Sequence, residues 1–294
     1  MVEPPFQHDE AAVSDHEIVI APNRSWLAID WRELWEYRDL LFLLVRRDFV
    51  AKYKQTILGP LWFIIQPLLM TVVFTVIFGN IAKISTDEFP GPLFYLANLV
   101  LWGYFAQNLG VASAIFTTNA YLFTKVYFPR LIVPGAAAVS SLFGSAIQLV
   151  TFLGFLFYYN LFTAAGALIS IRWEVILLPL VVLQMIVMSL GVSLWMSSLT
   201  AKYRDFTHLM GFLTQIWMYC TPVVFPLSEV RESLRWLFWL NPMTAVIEWF
   251  RYAFLGNGVV TGPGYILSVV ISLILFVTGV MVFNRTARKF VDTV

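Results

Sequence analysis

The chain has 294 residues, 59% of them hydrophobic and 13% charged, with a mean hydropathy of +0.76. A soluble domain of this size needs far more surface charge, so the composition excludes that class and defines an integral membrane protein. The net charge of +1 points to no partner by itself, and a single cysteine, Cys220, excludes a disulfide framework and a Cys-based metal site.

Residues 1–25 are polar, hold Pro4, Pro5 and Pro22, and have no apolar core of the secretory-signal type. They read as a flexible cytoplasmic tail, and insertion is expected to rest on internal spans. Residues 26–54 differ. Apolar residues recur near helical spacing at Trp31, Leu34, Trp35, Leu41, Phe42, Val45 and Phe49, while Arg32, Glu33, Glu36, Arg38, Asp39, Arg46 and Arg47 fill much of the remainder. The pattern predicts an amphipathic helix lying in the membrane interface, because a span follows almost at once; an ordinary helix packed on protein is the alternative.

Six apolar segments follow, at about 61–82, 93–118, 131–161, 175–199, 206–225 and 265–283. The first carries no charge and, at 1.5 Å per residue, crosses a hydrocarbon core of ~30 Å. Pro67 is expected to kink it, and Pro134 to break or delay the third. The cations orient the set. Arg46, Arg47, Lys52 and Lys54, then Lys125 and Arg130, then Lys202 and Arg204, then Arg285, Arg288 and Lys289 fall on one side. Lys83, Arg172, Arg231, Arg235 and Arg251 fall on the other. The richer side is cytoplasmic by the positive-inside rule, which places both termini there.

The connection 227–264 is apolar enough to enter the membrane, yet Asn241-Pro242 breaks it and Glu248 and Arg251 lie midway. Counted as another span, it would put the C-terminal cations outside. It therefore reads as two short re-entrant helices meeting near Asn241-Pro242. Glu248 and Arg251, spaced i, i+3, are expected to pair. The expected architecture is an all-α polytopic protein: an interfacial helix at 26–54, then a six-span domain over 55–294 with a re-entrant region at about 227–264.

Apart from His208, none of the six segments carries an ionisable Asp, Glu, Lys, Arg or His. Proton- or ion-coupled carriers need such groups in their pathway, so secondary active transport is disfavoured. The chain also lacks a G-x-x-x-x-G-K-[ST] phosphate loop. Energy for active transport must then arrive from another subunit, through the short loops 119–134 (NAYLFTKVYFPRLIVP) and 201–205 (AKYRD). Asp205 is placed to cap the helix after it.

Five stretches carry a family resemblance: RELWEYRDLLFLLVRRDFVAKYKQTILGPLWFIIQPLL (32–69), LFTKVYFPRLIVP (122–134), KYRDF (202–206), CTPVVFP (220–226) and LNPMTAVIEWFRYAFLG (240–256). Together they resemble the membrane subunit of bacterial ABC exporters for polysaccharides, the O-antigen, capsule and teichoic acid permeases. The resemblance implies a homodimer with two copies of a separate cytoplasmic ATPase that binds ATP and Mg, with no cofactor in this chain. It implies a bacterial inner-membrane location and a glycan on a polyprenyl diphosphate as substrate. Under it, Phe123, Lys125, Tyr127, Phe128 and Arg130, with Arg204 and Asp205, couple to the ATPase, and Asn241, Pro242, Glu248 and Arg251 belong to an outer gate. Cys220 stands where the family pattern suggests a small residue.

Residue chemistry supports a glycan path independently. Sugars present apolar C–H faces and a rim of hydroxyls, which aromatic faces and amides match. Candidates are Trp62, Phe63, Gln66, Phe74 and Phe78 in the first segment, Trp102, Tyr104, Phe105, Gln107 and Asn108 in the second, and Gln215, Trp217 and Tyr219 in the fifth. Each also suits an ordinary lipid-facing or packing role. Arg46, Arg47, Lys52 and Lys54 can attract a diphosphate head group, and they equally satisfy the positive-inside rule. A membrane glycosyltransferase would need paired carboxylates at the membrane face. Asp9-Glu10 and Asp87-Glu88 are poor candidates for that role. A passive channel or scaffold is the other rival; a co-purifying ATPase separates both from the exporter.

Overall fold

The computed structural model describes residues 31–54, 56–125 and 127–293. The tail expected at 1–25 lies outside them. Among the described residues every regular element is helical and no strand occurs. Helices α1 (Trp31–Glu36) and α2 (Arg38–Tyr53) form the amphipathic N-terminal part, separated at Tyr37. Leu44 and Val45 of α2 are buried, and Phe49 meets Phe143 of α7 (Ile132–Phe162) edge-on, with ring centroids 5.9 Å apart. Phe42, Leu43 and Val50 remain exposed. The helix thus packs on protein along one face and offers apolar side chains on another.

Helix α3 (Trp62–Phe74) continues into a π-helical turn, Thr75–Ile81. Pro67 lies inside α3 and removes a backbone donor there. The Thr71 and Thr75 hydroxyls donate to the Pro67 and Thr71 carbonyls, each at 2.7 Å. Such back-bonding loosens a ladder locally, and the π turn begins where it ends. Helix α4 (Gly91–Ala112) is the central post: fifteen of its residues are buried, Leu93 through Trp102 without interruption. Two short helices, α5 (Ile115–Thr118) and α6 (Ala120–Lys125), lead to α7. Pro134 sits in the first turn of α7, where no intrahelical donor is lost, and does not break it.

Helices α8 (Leu178–Lys202) and α12 (Gly262–Thr293) pack along each other. A Cβ on Gly279 would lie 2.5 Å from the Gly191 carbonyl oxygen, so only glycine permits this backbone approach. The seam is also polar. Gln184 donates to Ser268 at 2.7 Å, and the Trp195 indole N–H donates to Thr278 at 3.0 Å. Helix α9 (Phe206–Tyr219) precedes the pair α10 (Glu232–Trp239) and α11 (Pro242–Leu255), which meet at the Asn241 break.

Four helical stretches among the described residues are long and apolar enough to cross a membrane: Gly59–Ile81, Ile132–Phe162, Trp173–Lys202 and Gly262–Arg288. The segments expected at 93–118 and 206–225 do not join them. Helix α4 has the length, but Asn98, Gln107 and Asn108 make it too polar. Helix α9 ends at Tyr219 after 14 residues, or about 21 Å at 1.5 Å per residue.

Two hydrophobic clusters organise the two ends. The larger joins Phe74, the buried face of α4, Phe152, Met185 and most of α11. The smaller joins Leu44 and Val45 of α2, Phe116 of α5, Phe123, Phe128, and Phe283 and Ala287 of α12, with Ala201 packed against it. The second cluster gathers α2, the loops 119–134 and 201–205, and the end of α12 at one pole. Arg46, Arg47, Lys125, Arg130, Lys202, Arg204, Arg285 and Arg288 therefore share that pole, as their spacing suggested.

Candidate functional site

A groove of about 640 Å³ opens among α3, α4, α7 and α9. Trp62, Phe63 and Gln66 of α3 line it with Trp102 and Gln107 of α4, Gln148 of α7, and Gln215 and Met218 of α9. None of its lining residues is ionisable. Six channel candidates, Trp62, Phe63, Gln66, Trp102, Gln107 and Gln215, therefore converge on one surface. The others do not. Phe74 is buried and packs edge-on against Phe78 and Tyr95. Tyr104 is 1% exposed, with its hydroxyl donating to the Ala138 carbonyl at 3.4 Å. Both are core residues, placed there because their side of the helix faces the bundle. Tyr219 is exposed beside the groove and its hydroxyl accepts from Gln215 Nε2 at 3.1 Å.

Gln148 is the groove residue that spacing did not single out. It is an amide in the apolar run of α7, the same signal that marks Gln66 and Gln215. Its side chain lies across Gly103, where a Cβ would come within 3.2 Å of Oε1. That carbonyl oxygen is buried and accepts no hydrogen bond from the protein. A buried acceptor without a donor costs about 1–3 kcal/mol, which a ligand hydroxyl can offset.

The groove connects to the α10–α11 turn through Trp217. Its indole N–H donates to Asn241 Oδ1 at 3.2 Å, and its ring meets Phe105 edge-on at 5.0 Å. Asn241 caps α11: Oδ1 also accepts from Met243 N at 3.1 Å, and Nδ2 donates to Thr221 Oγ1 at 2.8 Å. Pro242 occupies the first helical position, where its fixed φ suits the helix, and its carbonyl accepts from Ser268 at 2.9 Å. Within α11, Glu248 and Arg251 are 0% and 1% exposed and form a direct ion pair. The carboxylate also accepts from Val259 N at 2.8 Å and Leu227 N at 3.3 Å, so it clamps the chain on both sides of the turn. Arg251 lies over the Phe94 ring at 4.9 Å, while its Nε and Nη1 have no hydrogen-bond partner.

At the opposite pole the coupling segment divides into two faces. Phe123 and Phe128 are 6% and 4% exposed and stack with each other at 5.9 Å, while Phe123 also packs on Phe116. Their aromatic rings anchor the segment to its own protein, so they are not surface contacts for a partner. Tyr121, Lys125 and Tyr127 are exposed, and Lys125 lies over the Tyr121 ring at 4.4 Å. Arg130 is half-buried, and Arg204 and Asp205 are exposed. Asp205 does hold the N-cap position of α9, but its side chain makes no capping hydrogen bond. Its backbone is already helical, which turns the carboxylate away from the free N–H groups.

Arg46 and Arg47, two of the expected head-group cations, point to different places. Arg46 is exposed and faces a groove with Phe42, Phe49 and Phe143. Arg47 points elsewhere, donating to Asp48 at 2.8 Å and to Asn119 Oδ1 at 3.1 Å. Lys54 is exposed. The Lys52 side chain lies outside what the structure describes.

An uncharged, amide-lined groove and a separate cationic pole in one apolar helical bundle suit a membrane transport subunit. Residues 39–255 match the ABC-2 type transporter membrane family, and the chain belongs to it. It is thus an integral membrane permease of a class that works with an ATPase partner. The chain is similar to an O-antigen export system permease protein RfbA of Myxococcus xanthus, 27% identical over 265 residues, 90% of this chain and 98% of that one. An O-antigen export system permease protein RfbA of Klebsiella pneumoniae is 26% identical over 254 residues, covering 86% and 94%. A capsule polysaccharide export inner-membrane protein CtrC of Neisseria meningitidis serogroup B is 22% identical over 275 residues, covering 88% and 95%.

Proposed function

We propose that this chain is the transmembrane subunit of an ATP-driven exporter that moves a polyprenyl-diphosphate-linked polysaccharide, of the O-antigen class, out of the bacterial cytoplasm. The observation that carries this is the groove of about 640 Å³, with indole faces, four glutamines and no ionisable lining residue. Indole faces suit sugar C–H surfaces, carboxamides suit hydroxyls, and the groove lining itself offers no titratable group to a proton. The names of the relatives, O-antigen and capsule export proteins, agree with it.

In this reading the chain crosses the membrane six times. Helix α4 makes a span despite Asn98, Gln107 and Asn108 because neighbouring helices shield it from lipid. Helix α9, extended by 220–225, makes another. Helices α10 and α11 dip in from the outer face, and both termini are cytoplasmic. Two copies assemble with two ATPase subunits, which grip Tyr121, Lys125, Tyr127, Arg204 and Asp205. ATP and Mg bind those subunits. Their movement reaches the bundle through Phe123, Phe128 and Phe116, and from there α2 and α12. Arg46, Arg47, Lys52 and Lys54 attract the diphosphate at the inner surface, and α3 and α9, which flank the groove, separate to admit the glycan.

The test is purification of the tagged chain from its native membrane in mild detergent, with ATP hydrolysis assayed in the eluate. A stoichiometric ATPase is expected, and it should be lost from Lys125→Glu/Arg204→Glu, both exposed positions. Recovery of the chain alone across several detergents would overturn the coupled reading and favour a passive channel or scaffold.

A further inference from the structure

The groove carries a statement about substrate charge. Gln66, Gln107, Gln148 and Gln215 come from four different helices and meet on a surface with Trp62 and Trp102. Each carboxamide offers two N–H donors and a two-lone-pair acceptor, and a sugar hydroxyl is itself donor and acceptor. The Gln148 acceptor is the discriminating group, since it is buried and unpaired within the protein. A hydroxyl supplies the missing proton. An ionised carboxylate or phosphodiester supplies acceptor oxygens only, and sets lone pairs against a lone pair. No cation lines the groove to compensate. Arg251, the buried guanidinium of α11, is already engaged by Glu248. An anionic sugar entering here would leave water without a countercharge, which neutral amide donors do not fully offset.

We infer that the groove selects uncharged, hydroxyl-rich sugar units and rejects acidic ones, with Gln148 as the specificity-determining residue. The inference rests on the transport reading and narrows its substrate class to a neutral glycan. It also assigns Gly103 a role: the absence of a side chain there leaves Gln148 room to lie along α4.

The test uses the full chain in lipid nanodiscs and two fluorescently labelled probes of equal length, maltoheptaose and hepta-galacturonate, read by anisotropy. Measurements run at about 0.15 M and at higher salt, so that attraction of the acid to the cationic pole is screened out. Maltoheptaose is expected to bind at least about tenfold tighter than the galacturonate. Gln148→Leu should weaken maltoheptaose by about fivefold while leaving the galacturonate unchanged, and Gln148→Lys should bring the two to near parity. Gln66→Leu, at an exposed position, gives a second weakening variant if the α7 substitutions do not fold. Equal affinities, tighter binding of the acid, no binding of maltoheptaose at millimolar concentration, or indifference to Gln148→Leu and Gln66→Leu would each overturn the inference. A chain that retains its ATPase but fails to discriminate loses this inference alone. A chain without the ATPase loses the transport reading itself.

Discussion

The two poles of the molecule use the same materials in opposite ways. Around Asn241 an ion pair goes inside: Glu248 and Arg251 are buried, and Trp236, Leu237 and Leu240 of the α10 side are exposed. Around 119–134 the phenylalanines go inside, with Phe123 and Phe128 buried, and Lys125 and Tyr127 are left outside. A buried charge has to be matched within its own chain, so the first pole is committed to holding its fold. An exposed cation on an aromatic anchor is uncommitted, so the second pole is fit for another protein. The contrast predicts that charge removal is severe at one pole and silent for folding at the other.

The largest effect is expected for Glu248→Ala. It strands Arg251 in the core and releases the backbone at Leu227 and Val259, a loss of about 3–5 kcal/mol that thermal denaturation in detergent would register as a strongly lowered midpoint. Pairing Glu248→Gln with Arg251→Met should recover much of that loss, because it removes the uncompensated charge. A stable single mutant would erase the proposed difference between the poles. Next comes Phe123→Ala, about 3 kcal/mol, measured the same way. It tests whether the aromatic anchor, rather than the cations, holds the coupling segment. Asn241→Ala should cost about 1–2 kcal/mol by removing the α11 cap and its bonds to Trp217 and Thr221. Asn241→Asp should recover part of it, since a carboxylate accepts from the same N–H groups. Lys125→Glu/Arg204→Glu should leave the stability read from the melting curve within about 0.5 kcal/mol of the parent. If the docking reading holds, retention of the ATPase by the unmodified chain should also weaken as salt rises.

Much of this was legible because the local rules agree with the fold. Asn241-Pro242 is a cap followed by a proline at the first helical position, and the helix starts there. The i, i+3 spacing of Glu248 and Arg251 announces their pair. The grouping of cations announces the pole they share. Phe123 and Phe128 flank Lys125 in the sequence with no local sign of burial, and only the return of α12 shows that Phe283 and Ala287 join their cluster. The burial of Phe74 and Tyr104 is hidden for a related reason. Periodicity in an all-apolar helix does not mark which side faces the bundle, whereas in a soluble helix it does. The bonds from Leu227 and Val259 to Glu248 had no local signal at all, since they join backbone groups on both sides of the turn to one carboxylate.

The glycine contact between α8 and α12 bears on how the protein is made. Helix α12 follows α8 by about 60 residues in the chain, so the ribosome completes α8 well before its partner exists. During that interval Gln184 and Trp195 lack Ser268 and Thr278, the α12 partners they bond in the finished bundle. A nascent chain stalled before residue 262 would present this polar strip to lipid or to the insertion machinery, a mark that membrane quality control can recognise. Arrival of Gly279 against Gly191 hides the strip in one step. Helix α12 therefore acts as the latch of biogenesis, and chains truncated before it should be degraded rather than accumulate as partial permeases.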